Sequence, residues 1–338
     1  MKHEKLLNTG LLNAKTLKSR LLQLGVIIAL FMLWIALSII TPHFLQLNNL
    51  VNLLLQVSTN TIIGIGMTLV ILTGGIDLSV GSVVAVCATT LALLHKYFSS
   101  LDLNSGMYVL LAIVVPIFVS LLIGTLLGFA NGALVAYGKL PPFIMTFGMM
   151  SVARGLAYVL TRSQTISGFS NEIRYLGNTR FFNIPLPIFI SIFLVIVVSA
   201  VLKYTKFGRY VYAFGGNSEA LLLSGVDAKR IQVAVYVICS LIAGFSAIIT
   251  VGKFNVAAPV TGMGYELEAI GAVIVGGTSV NGGRGTVFGT FIGALLIGTM
   301  RNGLNLLNVD SSVQPVVIGL VVIFAVLLDK YSKSKLVE

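Results

Sequence analysis

Charged side chains are scarce in this 338-residue chain, since Asp, Glu, Lys and Arg together make up only 10% of it. Soluble domains carry roughly 25% charged residues, so a soluble globular fold is excluded. Cysteine is rarer still: the chain has only Cys87 and Cys239, each inside an apolar segment. Two such cysteines provide neither a disulfide framework nor a thiolate metal site.

Apolar residues are abundant instead, at 57% of the chain, and the mean hydropathy is +0.99. Ten membrane-crossing helices of about 20 residues would use roughly 200 residues, which is close to this supply. A transmembrane β-barrel would alternate apolar and polar residues, whereas residues 188–202 are apolar on every face. We therefore expect an all-α, polytopic membrane protein with about ten transmembrane helices and glycine-rich breaks.

The apolar runs form one membrane domain, residues 21–329, between a basic N-terminus, 1–20, and a short tail, 330–338. The first run is longer than a signal-peptide core and lacks a small-residue cleavage site, so it is expected to remain as a span. The predicted spans are 21–40, 51–72, 79–95, 107–136, 142–160, 185–202, 231–251, 264–280, 286–308 and 313–328.

The net charge of +11 comes from basic residues in short stretches between apolar runs, a distribution typical of membrane orientation rather than of nucleic-acid binding. With an even number of spans, the basic clusters in 1–20, 203–230 and 330–338 fall on one side. Both termini and the loop 203–230 are therefore predicted to be cytoplasmic. The exception is the external loop 161–184, which holds three arginines and is either a docking surface or a plain connector.

Glycines recur every four residues in two of the predicted spans. Helices in lipid approach one another through small residues, so both stripes are expected to be tight helix crossings. Short similarities between 65–75 and 270–278 also favour two related halves. The stripes consist of Gly124, Gly128 and Gly132, and of Gly285, Gly289 and Gly293.

Asp77 lies among glycines between two apolar runs, in a stretch without Lys or Arg. A carboxylate facing lipid would be costly, so one interpretation is unwound backbone beside a water-filled cavity. The other is that Asp77 accepts hydrogen bonds from free N–H groups at the start of the next helix, and the two roles are compatible. The predicted pathway residues are Asn60, Gly74, Gly75, Asp77, Ser79 and Glu266.

The roles of Asn60 and of the two glutamates Glu266 and Glu268 each have two interpretations. Asn60 offers hydrogen bonds either to a polar solute or to a neighbouring helix. Glu266 and Glu268 stand two residues apart and so face different sides of a helix; each either anchors its span at the membrane interface or lines the pathway entrance. The three histidines lie far apart without metal-ligand spacing, so no metal site is expected.

The segment 208–226 carries the signals of a short helix between two spans. Asn217 can cap this helix, Glu219 favours its positive end, and Gly225 can end it. A helix of about two turns is marginal in water on its own. It is therefore expected to lie against either the membrane surface or a partner.

Several motifs, in this order, resemble the permease subunits of bacterial ABC importers for monosaccharides, and the resemblance covers about 21–329. The family often has Asp where this chain has Glu268, a change that preserves charge, and the loop 161–184 is the least family-like part. The motifs are GMTLVILTGGIDLSVGS at 66–82, GRYVYAFGGN at 208–217 followed by Ser224-Gly225, GYELEAI at 264–270, GGTS at 276–279 and NGLNLL at 302–307.

This resemblance implies two ten-span subunits, as a homodimer or a heterodimer, enclosing one pathway in the lipid of the bacterial inner membrane. It also implies an ABC ATPase subunit, which binds ATP and Mg²⁺, and an extracytoplasmic sugar-binding protein that delivers the solute. The segment 213–226 would be the helix that couples the permease to the ATPase. The coupling residues implied are Gly215, Gly216, Asn217, Glu219, Ala220, Ser224 and Gly225.

The chain itself has no phosphate-binding loop, because neither of its Gly-Lys pairs is followed by Ser or Thr. We therefore expect a translocation subunit that binds no cofactor and is not an enzyme. Ribose is the leading solute by resemblance, and similar permeases carry xylose, galactose or autoinducer-2. The alternative is a secondary transporter driven by an ion gradient, in which Asp77 and Glu266 would bind the ion.

Overall fold

The computed structural model describes residues 25–102, 104–321 and 323–324, so the predicted termini 1–20 and 330–338 lie outside the described residues. The helices are α1 Gly25–Ile40, α2 Leu47–Leu72, α3 Val80–Ser99, α4 Ser105–Ala136, α5 Pro142–Thr161, α6 Asn171–Asn178, α7 Leu186–Tyr204, α8 Lys206–Gly216, α9 Ser218–Leu223, α10 Ala228–Phe254, α11 Tyr265–Val275, α12 Val287–Leu306 and α13, which covers 314–321 and continues at 323–324.

The all-α membrane fold expected from composition is confirmed. Seven of the described helices are long and apolar enough to cross a membrane: α2, α3, α4, α5, α7, α10 and α12. Helix α4 covers 32 residues and includes a π-helical segment at Val109–Val114. Every predicted span overlaps a helix, but the count of ten full spans is approximate.

One predicted span is much shorter than expected. Over 264–280 the structure has only α11, with 11 residues. At 1.5 Å per residue such a helix is about 16 Å long, roughly half the hydrocarbon thickness of a bilayer. The helix ends because Gly277 turns the backbone to a φ of +87°, a conformation that glycine adopts without steric cost.

Helices α2, α3 and α10 form the centre of the bundle. In the most apolar stretches of α2 and α3, 83% and 78% of the residues are buried, against 22% in α4 and α5. Helix α10 packs against α4, α2 and α3, and the large buried side chains Tyr236, Ile65 and Met67 lie in this core. Helices α4, α5 and α7 therefore form an outer layer whose apolar side chains face outward.

The first glycine stripe lies at the crossing of α4 and α10. A Cβ atom at Gly124 would lie 3.0 Å from the carbonyl oxygen of Ser240, and one at Gly128 would lie 2.7 Å from that of Tyr236. At Gly132 it would lie 2.8 Å from the Cα of Val233. The two backbones therefore approach closely along the whole stripe, as small residues permit.

The second stripe is shorter than the spacing predicts. Gly289 and Gly293 lie in α12 and contact α11; a Cβ atom at Gly293 would lie 2.8 Å from the backbone nitrogen of Gly276. Gly285 is not part of this crossing, because α12 begins only at Val287. Its φ of +149° belongs to the loop before the helix, where it lies against Thr278.

Two short antiparallel pairs belong to the loops at one end of the bundle. Strand β1, Ile166–Ser167, pairs with β4, Val256–Ala257. Strands β2, Arg180–Phe181, and β3, Ile184–Pro185, form a hairpin. The loop 203–230 lies at the other end, because α7 and α10 each run from one of these loop regions to the other.

Candidate functional site

The break between α2 and α3 is a buried, hydrogen-bonded turn. Gly74 has a φ of +75°, and the side chains of Asp77 and Ser79 have no solvent exposure. One carboxylate oxygen of Asp77 accepts from the Ser79 backbone N–H at 2.8 Å and from the Ser79 hydroxyl at 2.6 Å. Helix α3 begins at Val80. The structure thus favours the helix-start role for Asp77 over an open pathway position.

Neighbouring helices hold this break in place. Asn131 of α4 donates to the Ser79 hydroxyl at 2.8 Å, and Thr146 of α5 donates to the carbonyl of Ile76 at 3.0 Å. On the opposite side, a Cβ atom at Gly75 would lie 2.5 Å from the Tyr236 hydroxyl. Three helices therefore contact the break. One oxygen of Asp77, the amide oxygen of Asn131 and the hydroxyl of Tyr236 are nevertheless buried here without a hydrogen-bond partner among the described residues.

Asn60 lies in a different polar cluster, together with two charges of opposite sign. Its side-chain amide donates to Glu268 at 2.6 Å. The other Glu268 oxygen forms an ion pair of 2.6 Å with Arg301, and the two side chains are only 16% and 24% exposed. This cluster links α2, α11 and α12, so the neighbouring-helix role anticipated for Asn60 is present in the structure.

Glu266 faces away from Glu268, as their two-residue spacing predicts. A Cβ atom at Gly81 of α3 would collide with its carboxylate. The carboxylate oxygen Oε2 of Glu266 is buried without a hydrogen-bond partner among the described residues. Nearby, Arg154 of α5 donates to the carbonyls of Pro259 and Thr261 at 2.5 and 2.9 Å. The loop before α11 is thereby held against α3 and α5.

The segment 213–226 is not one helix, which corrects the expectation. Helix α8 extends to Gly216, and α9 begins at Ser218 after Asn217, whose φ of −161° interrupts the helix. The Asn217 side chain accepts from the Ala220 N–H at 2.9 Å, so it does cap α9. Glu219 lies in its first turn, and Gly225, with a φ of +81°, follows its end.

The surface of α9 is largely open. Asn217, Glu219, Ala220, Ser224 and Gly225 are exposed. Among its leucines, Leu221 is buried, whereas Leu223 is 88% exposed. Leu222 is also 62% exposed, so two adjacent leucines present apolar surface at the end of α9.

Helix α8 connects this surface to two glycine-rich breaks: the turn between α2 and α3, and the loop 276–286 between α11 and α12. A Cβ atom at Gly215 would collide with the carbonyl of Leu72 and the backbone nitrogen of Gly283. The Gly283 N–H donates to the Leu72 carbonyl at 2.9 Å, and the Tyr212 hydroxyl donates to the carbonyl of Gly285 at 2.9 Å. Gly216, in contrast, has open space at its Cβ position. A displacement of α8 would therefore act directly on the end of α2 and on the loop 276–286.

The comparison with protein families identifies the chain. Residues 49–326 match the family described as the permease component of the branched-chain amino acid transport system. The chain belongs to this permease family. The permease is a multi-pass protein of the inner membrane and a transport component rather than an enzyme.

Individual relatives cover nearly the whole permease. The ribose import permease protein of Bacillus subtilis (strain 168) is 42% identical over 91% of this chain and 92% of its own length. The ribose import permease protein of Escherichia coli (strain K12) is 39% identical over 92% of this chain and 95% of its own length. The D-allose transport system permease protein of the same strain is 34% identical over 91% of this chain and 89% of its own length. No solved structure matches the permease significantly. An importer permease of this family works with an ATPase and a solute-binding protein.

The sequence pattern does not predict roles for three polar residues of these clusters: Arg301, Arg154 and Asn131. Lone arginines inside apolar runs are costly in lipid and so imply buried partners, which is the signal for the two arginines. Asn131 lies between the glycines of a packing stripe, a position that indicates helix packing rather than a hydrogen bond to a neighbouring loop. The described residues contain no group of three or more His, Cys, Asp or Glu side chains arranged to hold a metal ion.

Proposed function

We propose that this permease is the membrane-spanning subunit of an ATP-driven importer for a monosaccharide, with ribose as the leading solute. The observation that carries the proposal is identity of 39 to 42% to ribose import permeases over more than nine-tenths of the chain. The D-allose relative at 34% identity and an L-arabinose relative at 32% keep other sugars as the second choice.

In this proposal two copies of the permease form a homodimer around one pathway, with both termini and the loop 203–230 in the cytoplasm. ATP and Mg²⁺ bind to the partner ATPase. The ATPase contacts α9, and its closure moves α8 against the two glycine-rich breaks. Rigid-body rocking of the glycine-packed helices then switches access to the pathway. Support comes from the contacts of Gly215 with Leu72 and Gly283.

The pathway in this proposal passes along α11, which carries Glu266 on the face towards α3 and contacts Asn60 of α2 through Glu268. Asn60 and Glu266 both sit next to charged groups rather than in a purely apolar environment. Polar residues inside a membrane commonly line a solute pathway. Gly74, Gly75, Asp77 and Ser79 act in this scheme as the hinge of α2 and α3.

We expect the permease to restore ribose uptake in an Escherichia coli strain that lacks its own ribose permease, when its partner ATPase and binding protein are expressed with it. Uptake should disappear when the ATPase carries a substitution that blocks hydrolysis. Labelled ribose, allose and arabinose, supplied in parallel, identify the solute. Uptake driven by a proton or sodium gradient without the ATPase would instead establish the secondary transporter.

We also expect Leu223→Ser to weaken binding of the ATPase at least several-fold, because an exposed leucine at a partner surface loses its apolar contact. Folding should be unchanged, since the side chain contacts little within the chain. Co-purification with the ATPase measures the effect. Met263→Ser is the control: this side chain is 74% exposed, but it lies in the loop before α11, at the opposite end of the bundle. Equal ATPase binding by both variants would contradict the assignment of α9.

A further inference from the structure

The hairpin of β2 and β3, residues 180–185, ends in an unusual turn. Phe181 pairs with Ile184, so Phe182 and Asn183 form a two-residue turn, with φ values of +49° and +64°. Turns of this kind need positive φ at both central residues and favour Asn and Gly there. Asn183 meets this preference. Phe182 does not, because positive φ is strained for a bulky side chain.

Phe182 is also 96% exposed. Nothing within the described chain covers it, so neither packing nor turn geometry accounts for an aromatic side chain at this position. A residue that is strained in its backbone and exposes a large apolar surface points to a function that lies outside the chain. The hairpin presents this ring at its tip.

The apolar surface of the hairpin continues onto a membrane-spanning helix. Helix α7 begins at Leu186, directly after β3, and the rings of Phe181 and Phe189 pack edge to face with centroids 6.5 Å apart. From there one exposed stripe runs down α7 with helical spacing. Its residues are Phe189, Ile192, Phe193, Ile196 and Val197. Only 28% of the apolar stretch of α7 is buried within the chain, so the rest of the chain leaves this stripe uncovered.

The tip of the hairpin therefore lies at the end of a helix that is long and apolar enough to cross a membrane, beside the uncovered stripe. Arg180 is exposed on the same hairpin. Aromatic rings and arginines collect at the boundary between membrane and water, because the ring has an apolar body and the guanidinium binds lipid phosphate. Both groups are on a rigid, hydrogen-bonded scaffold rather than on a loose loop.

We propose that the hairpin 180–185 inserts Phe182 into the boundary between headgroups and acyl chains, with Arg180 at the lipid phosphates. The hairpin thereby anchors the start of α7 and the adjacent external loop to the membrane surface. This inference does not depend on which solute the permease carries.

A fluorescent probe at the tip tests the proposal. Cys87 and Cys239 are buried, so Phe182→Cys can be labelled selectively with an environment-sensitive dye. The labelled protein is reconstituted into vesicles of phosphatidylcholine and phosphatidylglycerol. We expect blue-shifted emission that brominated acyl chains quench several-fold more strongly than aqueous iodide does. The control is Leu223→Cys on α9, which should show the reverse order of quenching.

Three outcomes would overturn the proposal. The first is strong quenching by iodide in vesicles, which would place the tip in water. The second is shielding in detergent that appears only when the protein concentration is raised into the range where the protein dimerises, which would place the tip against a second copy. The third is shielding that appears only when the sugar-binding protein is added. If Phe182→Cys fails to fold, Asn183→Cys places the same probe at the neighbouring turn position.

Discussion

Gly215→Ala is expected to abolish most ATP-driven uptake, whereas Gly216→Ala should transport normally. A Cβ atom at Gly215 would collide with the backbone of Leu72 and Gly283, and backbone atoms cannot move aside as a flexible side chain can. Overpacking of this kind typically costs about 1–3 kcal/mol. At the adjacent position, no atom lies within 4 Å of the Cβ site of Gly216. Glycine-to-alanine substitution at these two adjacent positions therefore compares a tightly packed site, Gly215, with an open one, Gly216.

Thermal unfolding in detergent and uptake in proteoliposomes measure the two variants. Gly215→Ala should lower the melting temperature as well as uptake, whereas a larger residue at Gly216 should lower binding of the ATPase, and uptake with it, at an unchanged melting temperature. Gly148→Ala on α5 is a second control, because its Cβ site is also open. Equal stability and uptake for Gly215→Ala and Gly216→Ala would show that the contact of α8 with the breaks does not transmit force.

The sequence predicts local features of this fold well. Apolar runs locate the helices because lipid requires about 20 consecutive apolar residues, and the capping role of Asn217 follows from the residue type and its neighbours. The opposite orientations of Glu266 and Glu268 follow from helical spacing alone. For Asp77 the sequence offers two roles, and only the hydrogen bonds to Ser79 favour one of them.

Other features depend on tertiary structure. Residues 264–280 are apolar enough for a span, and glycine pairs are tolerated in membrane helices, so composition does not reveal that α11 stops after 11 residues. The close approach of Gly215 in α8 to the backbone of Leu72 and Gly283 is not indicated by any local signal. The partner of Arg301 is likewise hidden, because Glu268 lies 33 positions earlier and several other acidic residues are available.

The second large effect is expected at the ion pair of Glu268 and Arg301. Arg301→Met leaves the Glu268 carboxylate without its cation between three helices, where it is only 16% exposed. Removing one partner of a fully buried pair typically costs about 3–5 kcal/mol. This pair is partly buried, so we expect a cost towards the lower end of that range, with a clear fall in melting temperature and in the yield of folded protein. The double variant Glu268→Gln with Arg301→Met should recover much of the loss, because it leaves no unpaired charge.

The exposed pair of Asp227 and Arg230 provides the matched control. These groups are 2.9 Å apart, but their side chains are 47% and 81% exposed, and surface ion pairs contribute only about 0–1 kcal/mol. Arg230→Met should therefore change the melting temperature little, and a double-mutant cycle at each pair gives the coupling free energy. A coupling at Glu268 and Arg301 no larger than at the surface pair would contradict a stabilising role. A large coupling would mean that Asn60, Glu268 and Arg301 fix the half-length helix α11 against α2 and α12, so that the loop 276–286 moves with the bundle when α8 is displaced.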